Sequence, residues 1–127
     1  MAALSYSHGQ REDENSGKNM HGLIQRFVDS TNAADVEAAL ALFAADAVID
    51  DVSVGDKFAG TTGVRRYLEQ FFVGYNTASK ILKVDVVSDR RVKARLDFTG
   101  DFGHEVGVLD VSINEEGLIA AIDADLE

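Results

Sequence analysis

Cysteine is absent from this 127-residue chain. That removes two classes of protein at once: no disulfide framework staples the fold, and no thiolate holds a metal. Long apolar runs are missing as well. No stretch approaches the roughly 20 residues that a membrane-spanning helix needs. The opening segment MAALSYSHGQREDENSGKN lacks the apolar run of a signal peptide, so a cytoplasmic domain is expected. Bases are scarce, 12 against 22 acids, and the formal net charge is −10. Nucleic acid and anionic membranes both favour a basic footprint, so neither is expected as a partner. The three histidines show no His-x-His or His-Glu-x-x-His spacing, and no metal site is expected. The stretch GDKFAGTTG contains glycines but no lysine after the last of them, so it is not a phosphate-binding loop.

What is present describes one globular domain. Apolar residues make up 46% of the chain, and a single domain of this size buries about two-thirds of its unfolded surface. Residues 1–18 are polar and are expected to form a flexible tail, leaving 19–127 as the domain. Met20, Leu23, Ile24, Phe27, Val28 and Thr31 then follow a helical period. Asn32 is a candidate cap for a second helix, with Asp35 three residues on and Val36, Ala39, Leu40 and Phe43 as its stripe. Thr61 or Thr62 is expected to cap a third, whose apolar face is Val64, Tyr67, Leu68, Phe71, Phe72 and Tyr75, with Gly74 near its end.

Between the second and third helices lies AADAVIDDVSVGDKFAG, which reads as strand, turn, strand. Successive strand side chains point to opposite faces, so one of Asp50 and Asp51 shares a face with Ala47 and Ile49. From Ser79 onward the period is two. KILKVDVVSD, RVKARLDFTG, HEVGVLDVSIN and GLIAAIDADLE read as four strands joined by short turns, which implies an antiparallel meander. Three helices packed on such a sheet make an α+β domain, with room for a small ligand between the layers.

The stretch LIQRFVDSTNAADVEAALALFAADAVIDDVSVGDKFAGTTGVRRYLEQFF, with the later VGVLDVSINEEGLI, resembles the nuclear transport factor 2-like superfamily. That group includes ketosteroid isomerases, SnoaL-like polyketide cyclases and limonene-epoxide hydrolases. The resemblance covers Leu23 to Glu127. It implies a cystatin-like α+β roll, a cone-shaped curved antiparallel sheet wrapped around the helices. It further implies an apolar pocket, homodimers formed through the outer sheet face, and catalysis on a hydrophobic carbonyl compound without a cofactor. Residue by residue, Asp51 matches the isomerases' general base and Asp110 the protonated acid of their oxyanion hole. Phe27 stands at the position of their oxyanion tyrosine. Phenylalanine donates no hydrogen bond, and losing one such donor typically costs on the order of 100- to 1000-fold in rate.

The residues themselves leave alternatives open. Asp110 lies mid-strand with apolar residues on both faces, and is a pocket acid or a satisfied structural carboxylate. Asp51 is a pocket base or a solvated turn residue. Asp123 shares a face with Ile119 and Ala121 and is a further candidate pocket acid. Arg95 and Asp97, with Asp123 or Asp125, resemble the Arg-x-Asp arrangement of epoxide hydrolases, although their alternation with Ala94, Leu96 and Phe98 suits an outward, solvated set. His104, after a turn, is a lone general base or a wet strand-edge histidine. Phe27, Phe43, Ile49, Phe58, Tyr67, Phe71 and Val108 are the expected pocket lining. A non-catalytic ligand-binding or dimerisation module on the same fold is the competing reading.

Overall fold

The computed structural model describes residues 19–127; the expected tail lies outside the described residues. Helix α1 spans 19–32, and its buried positions are the six of the sequence stripe, Met20 to Thr31. Then follow α2 (Val36–Leu40), β1 (Phe43–Asp51), β2 (Asp56–Ala59), α3 (Gly60–Leu68), a π-helical turn (Glu69–Val73), β3 (Ala78–Ser88), β4 (Arg91–Gly100), β5 (Gly103–Ile113) and β6 (Ile119–Leu126). No helix among the described residues is long and apolar enough to cross a membrane.

The helix caps differ from expectation. Asp35, not Asn32, caps α2, accepting from the Ala38 N–H at 3.1 Å. Asn32 stays inside α1 and turns its amide to β3. It donates to the Ser79 carbonyl at 2.9 Å and accepts from the Ser79 N–H at 2.7 Å. Neither Thr61 nor Thr62 caps α3. The helix begins two or three residues earlier, at Gly60, with Ala59 in the cap position and no side-chain cap. Gly60 has φ +71°, a left-handed conformation that glycine adopts without the Cβ penalty.

The hairpin and the meander form one curved sheet, ordered β2-β1-β6-β5-β4-β3. All pairings are antiparallel except one: β1 runs parallel to β6, with Ile49 opposite Ile122 and Asp51 opposite Ala124. Register shifts in the β1–β6, β3–β4 and β5–β6 pairs interrupt the ladder, and such bulges bend and twist a sheet. The concave face carries Val92, Ala94, Leu96, Leu109, Val111, Ile122 and Ala124, and the core sits between it and the helices. The opposite face is charged. Arg91 pairs with Asp110, Arg95 with Glu127, and His104 with Asp97.

Candidate active site

Along β1, Ala47, Ile49 and Asp51 are buried while Asp50 turns outward, within 3.8 Å of Lys57. Asp51 is thus the last residue of β1 on its inner face, only 6% exposed. An unpaired carboxylate there would be very costly, and three donors meet it. The Ser53 N–H and hydroxyl donate to Oδ1 at 2.9 and 2.5 Å, and the Tyr67 hydroxyl donates to Oδ2 at 2.6 Å. A carboxylate offers about four lone-pair positions. Oδ1 is therefore filled, and one acceptor position remains on Oδ2. Burial first, and then the Asp51 hydrogen bond, push the Tyr67 phenol well above its ordinary range, so it stays a neutral donor.

Asp51 and Tyr67 sit on the wall of a cavity of about 250 Å³. Its other aromatic walls are Phe71, Phe72, Tyr75, Phe98 and Phe102. The π-helical turn helps to build it. The Gly74 N–H donates to the Glu69 carbonyl at 2.8 Å, a five-residue closure, and the Thr77 hydroxyl donates to the Phe71 carbonyl at 2.6 Å. Phe71 and the buried Phe72, both in that turn, line the cavity. A larger depression of about 600 Å³, between the start of α1 and the β5–β6 turn, is edged by Arg26, Asp89, Arg90 and Glu115 and gathers no buried titratable group.

The other proposed site residues are elsewhere. Asp110 does not reach the cavity. It lies on the outer face, where the Arg91 Nε and Nη2 donate to its two oxygens at 2.9 and 2.6 Å. That hydrogen-bonded guanidinium holds Asp110 below the usual carboxylate range, the opposite of a protonated oxyanion-hole acid. The reason is register: Gly107, Leu109 and Val111 point inward, so Val108 and Asp110 point outward. Val108, expected to line the cavity, therefore does not reach it. Asp123 pairs across the strands with Asp110 and is exposed, because Ile122 and Ala124 take the inner face of β6. Arg95 bonds Glu127 on the outer face, so the epoxide-hydrolase arrangement has no inward arginine. His104 also faces out, 2.7 Å from Asp97.

Phe27 is packed edge-on between Phe43 and Phe72, with ring centroids 6.0 and 5.7 Å away, and is core rather than cavity wall. Phe43 and Ile49 are core too, and Phe58 backs the wall by packing against Tyr67 and Phe71. Of the expected lining, Tyr67 and Phe71 reach the cavity. Sequence reasoning missed Ser53, Val54, Tyr75, Thr77, Phe98, Phe102, Glu105 and Leu126 as lining. Phe98 and Glu105 could have been found from strand alternation, since they share faces with Leu96 and Leu109. Nothing local marks the hydroxyl of Tyr67 as the partner of Asp51, sixteen residues away.

A curved six-stranded sheet with helices packed on its inner face, and a buried carboxylate on the wall of an aromatic cavity, is the α+β roll of the nuclear transport factor 2-like superfamily. The model of the SnoaL-like domain matches residues 24–121, and the chain belongs to that family. Solved structures of low sequence identity share the fold. A candidate ketosteroid isomerase from Kribbella flavida superposes with a TM-score of 0.76 at 14% identity, over 87% of this chain and 78% of that one. A candidate polyketide cyclase from Sinorhizobium meliloti gives 0.74 at 20% identity, over 84% and 97%. A Mycobacterium tuberculosis protein in complex with estradiol-17beta-hemisuccinate gives 0.70 at 23% identity, over 80% and 88%.

Proposed function

We propose that this domain takes up a small apolar carbonyl compound and moves a proton on it, with Asp51 as the base. The observation that carries this reading is Asp51 itself: a buried carboxylate on an aromatic wall, with one acceptor position left on Oδ2. In the proposed step, Oδ2 takes a proton from the carbon beside the carbonyl. The C–H bond breaks, the O–H bond forms, and the electron pair moves to the carbonyl oxygen as an enolate. Asp51 then returns the proton to the same or another carbon. Once Asp51 is neutral it holds the Tyr67 hydrogen less strongly, and that hydrogen can turn to the enolate oxygen. The step needs no cofactor. The cavity lies just under the roughly 300–1,000 Å³ of common ligand pockets, which favours one or two rings over a complete steroid.

The test is deuterium exchange at the carbons beside the carbonyl of β-tetralone and cyclohexenone, followed by NMR in D₂O. The wild-type protein is expected to accelerate exchange over buffer, and Asp51→Asn to lose about 100-fold or more of that acceleration. Exchange no faster than in buffer, or equal in both proteins, overturns the reading.

A non-catalytic binding module is the second reading. It is favoured by the absence from the cavity of both oxyanion groups that the resemblance implied, since Phe27 is core and Asp110 faces out. It expects the same ketones to bind without exchanging protons.

A further inference from the structure

The charge of the cavity lining has one sign. Among the described residues it contains two carboxylates, Asp51 and Glu105, and no lysine, arginine or histidine. Arg95 of β4 and His104 of β5 are turned to the other side of the sheet, where Arg95 is paired with Glu127 and His104 with Asp97. The net charge of −10 adds a field of the same sign. Glu105 stands at the mouth, exposed, opposite Phe98 in the β4–β5 ladder and among Val54, Tyr75, Phe102 and Leu126. These four apolar neighbours are 38–42% exposed.

The aromatic walls suit the same charge. Tyr75 and Phe102 meet at 64° with centroids 6.1 Å apart, Phe71 and Tyr75 at 71° and 5.7 Å, and Phe72 and Phe98 at 74° and 6.3 Å. These are edge-to-face contacts rather than stacks, and all five rings border the one cavity. An aromatic face carries the negative end of its quadrupole and attracts a cation, and several faces in one site can hold a substituted ammonium. A neutral ligand drawn across this mouth would strip water from Glu105 and return nothing for it. A cation would be compensated.

We propose that the ligand of this cavity carries a cationic nitrogen, a substituted ammonium on an apolar frame, held at the mouth by Glu105, Tyr75 and Phe102. The remainder of the ligand reaches inward toward Asp51. The mouth is the better place for the charge. Asp51 already accepts three hydrogen bonds, whereas Glu105 is exposed and leaves the ammonium partly hydrated, which limits the desolvation penalty. The inner half of this assignment rests on the reading of Asp51 above, and the substrate class becomes an amino ketone rather than a plain ketone.

The experiment is an NMR titration of the ¹⁵N-labelled full chain with phenyltrimethylammonium and its neutral isostere, tert-butylbenzene. The cation is expected to bind about tenfold more tightly or better, with shifts centred on Tyr75, Phe98, Phe102 and Glu105. Glu105→Gln is expected to remove most of that preference while leaving the neutral isostere's affinity unchanged or higher, which also shows that the variant is folded. Equal affinities in the wild-type protein, binding of neither compound, or a preference untouched by Glu105→Gln overturns the proposal. Proton exchange on neutral ketones without cation preference defeats this proposal and spares the acid–base reading. Cation preference without exchange does the reverse.

Discussion

The Tyr67 hydroxyl lies 2.6 Å from Asp51 Oδ2 and joins the inner face of α3 to the last residue of β1. Each group removes the other's difficulty. A buried phenol needs a hydrogen-bond partner, and a buried carboxylate needs donors. The bond also positions the carboxylate, because Ser53 holds one oxygen and Tyr67 the other.

Removing that hydroxyl tests its weight. Tyr67→Phe keeps the ring contacts with Phe58, Phe71 and Phe72 and deletes only the donor. It is expected to lower unfolding free energy by about 1.5–3 kcal/mol, the range for hydrogen bonds to charged groups. Urea denaturation of both proteins measures it, and a loss within experimental error would mean that water replaces the phenol at Asp51.

Asn32 ties α1 to β3 across 47 residues through both the nitrogen and the oxygen of its side-chain amide. Asn32→Ala leaves the Ser79 N–H and carbonyl without that partner. The expected loss is about 1–3 kcal/mol. Hydrogen exchange at the Ser79 amide should rise with it, and unchanged protection there would contradict a stapling role.

Gly107 is required by close packing. A Cβ there would lie 2.8 Å from the Asp125 carbonyl oxygen and 3.1 Å from Phe98 Cε2. The backbone of β6 cannot give way as a side chain can, so Gly107→Ala is expected to destabilise by about 1–3 kcal/mol. The same substitution should shift the NMR signals of Phe98 and Leu126, which line the cavity. A thermal midpoint at or above that of the wild type would sink this account.

Asp110 gives the pH dependence. Its bonded Arg91 guanidinium holds the folded-state carboxyl below the unfolded value of about 3.9. The folded state therefore binds fewer protons than the unfolded one as pH approaches that value. The contribution of the pair is complete above about pH 4 and is lost as pH falls through the depressed folded value. Asp110→Asn should be less stable than wild type at pH 6, with the two curves converging under strong acid. A gap of constant size from pH 6 to pH 2 would exclude this linkage. Because the pair is on the surface, added salt should narrow the gap at pH 6.

Much of the architecture was legible in the sequence. The α1 stripe from Met20 to Thr31 is the buried face residue for residue, because a helix burying one side must repeat near 3.6. The β4 alternation was equally direct: Val92, Ala94 and Leu96 are fully buried, and Arg91, Lys93 and Arg95 are exposed. Caps were less legible. Asn32 and Asp35 both have cap chemistry, and only the approach of β3 to α1 decides that Asn32 serves the strand.

The carboxylates divide in the same way. Alternation with Ala47 and Ile49 is a local property of one strand, and it already placed one of Asp50 and Asp51 inward. Asp110 has apolar neighbours on both sides in sequence, and only the pairing of β5 with β4 and β6 shows which side is the core. Once Leu109 and Val111 are inside, period two leaves Asp110 beside Arg91. Local periodicities of 3.6 and 2 determine the elements and their buried stripes, since each element must hide one face by itself. The parallel joining of β1 to β6, the Tyr67–Asp51 bond and the grouping of Glu105 with Tyr75 and Phe102 depend on which distant segments meet. The backbone hydrogen bonds and apolar burial that bring those segments together belong to the folded chain as a whole.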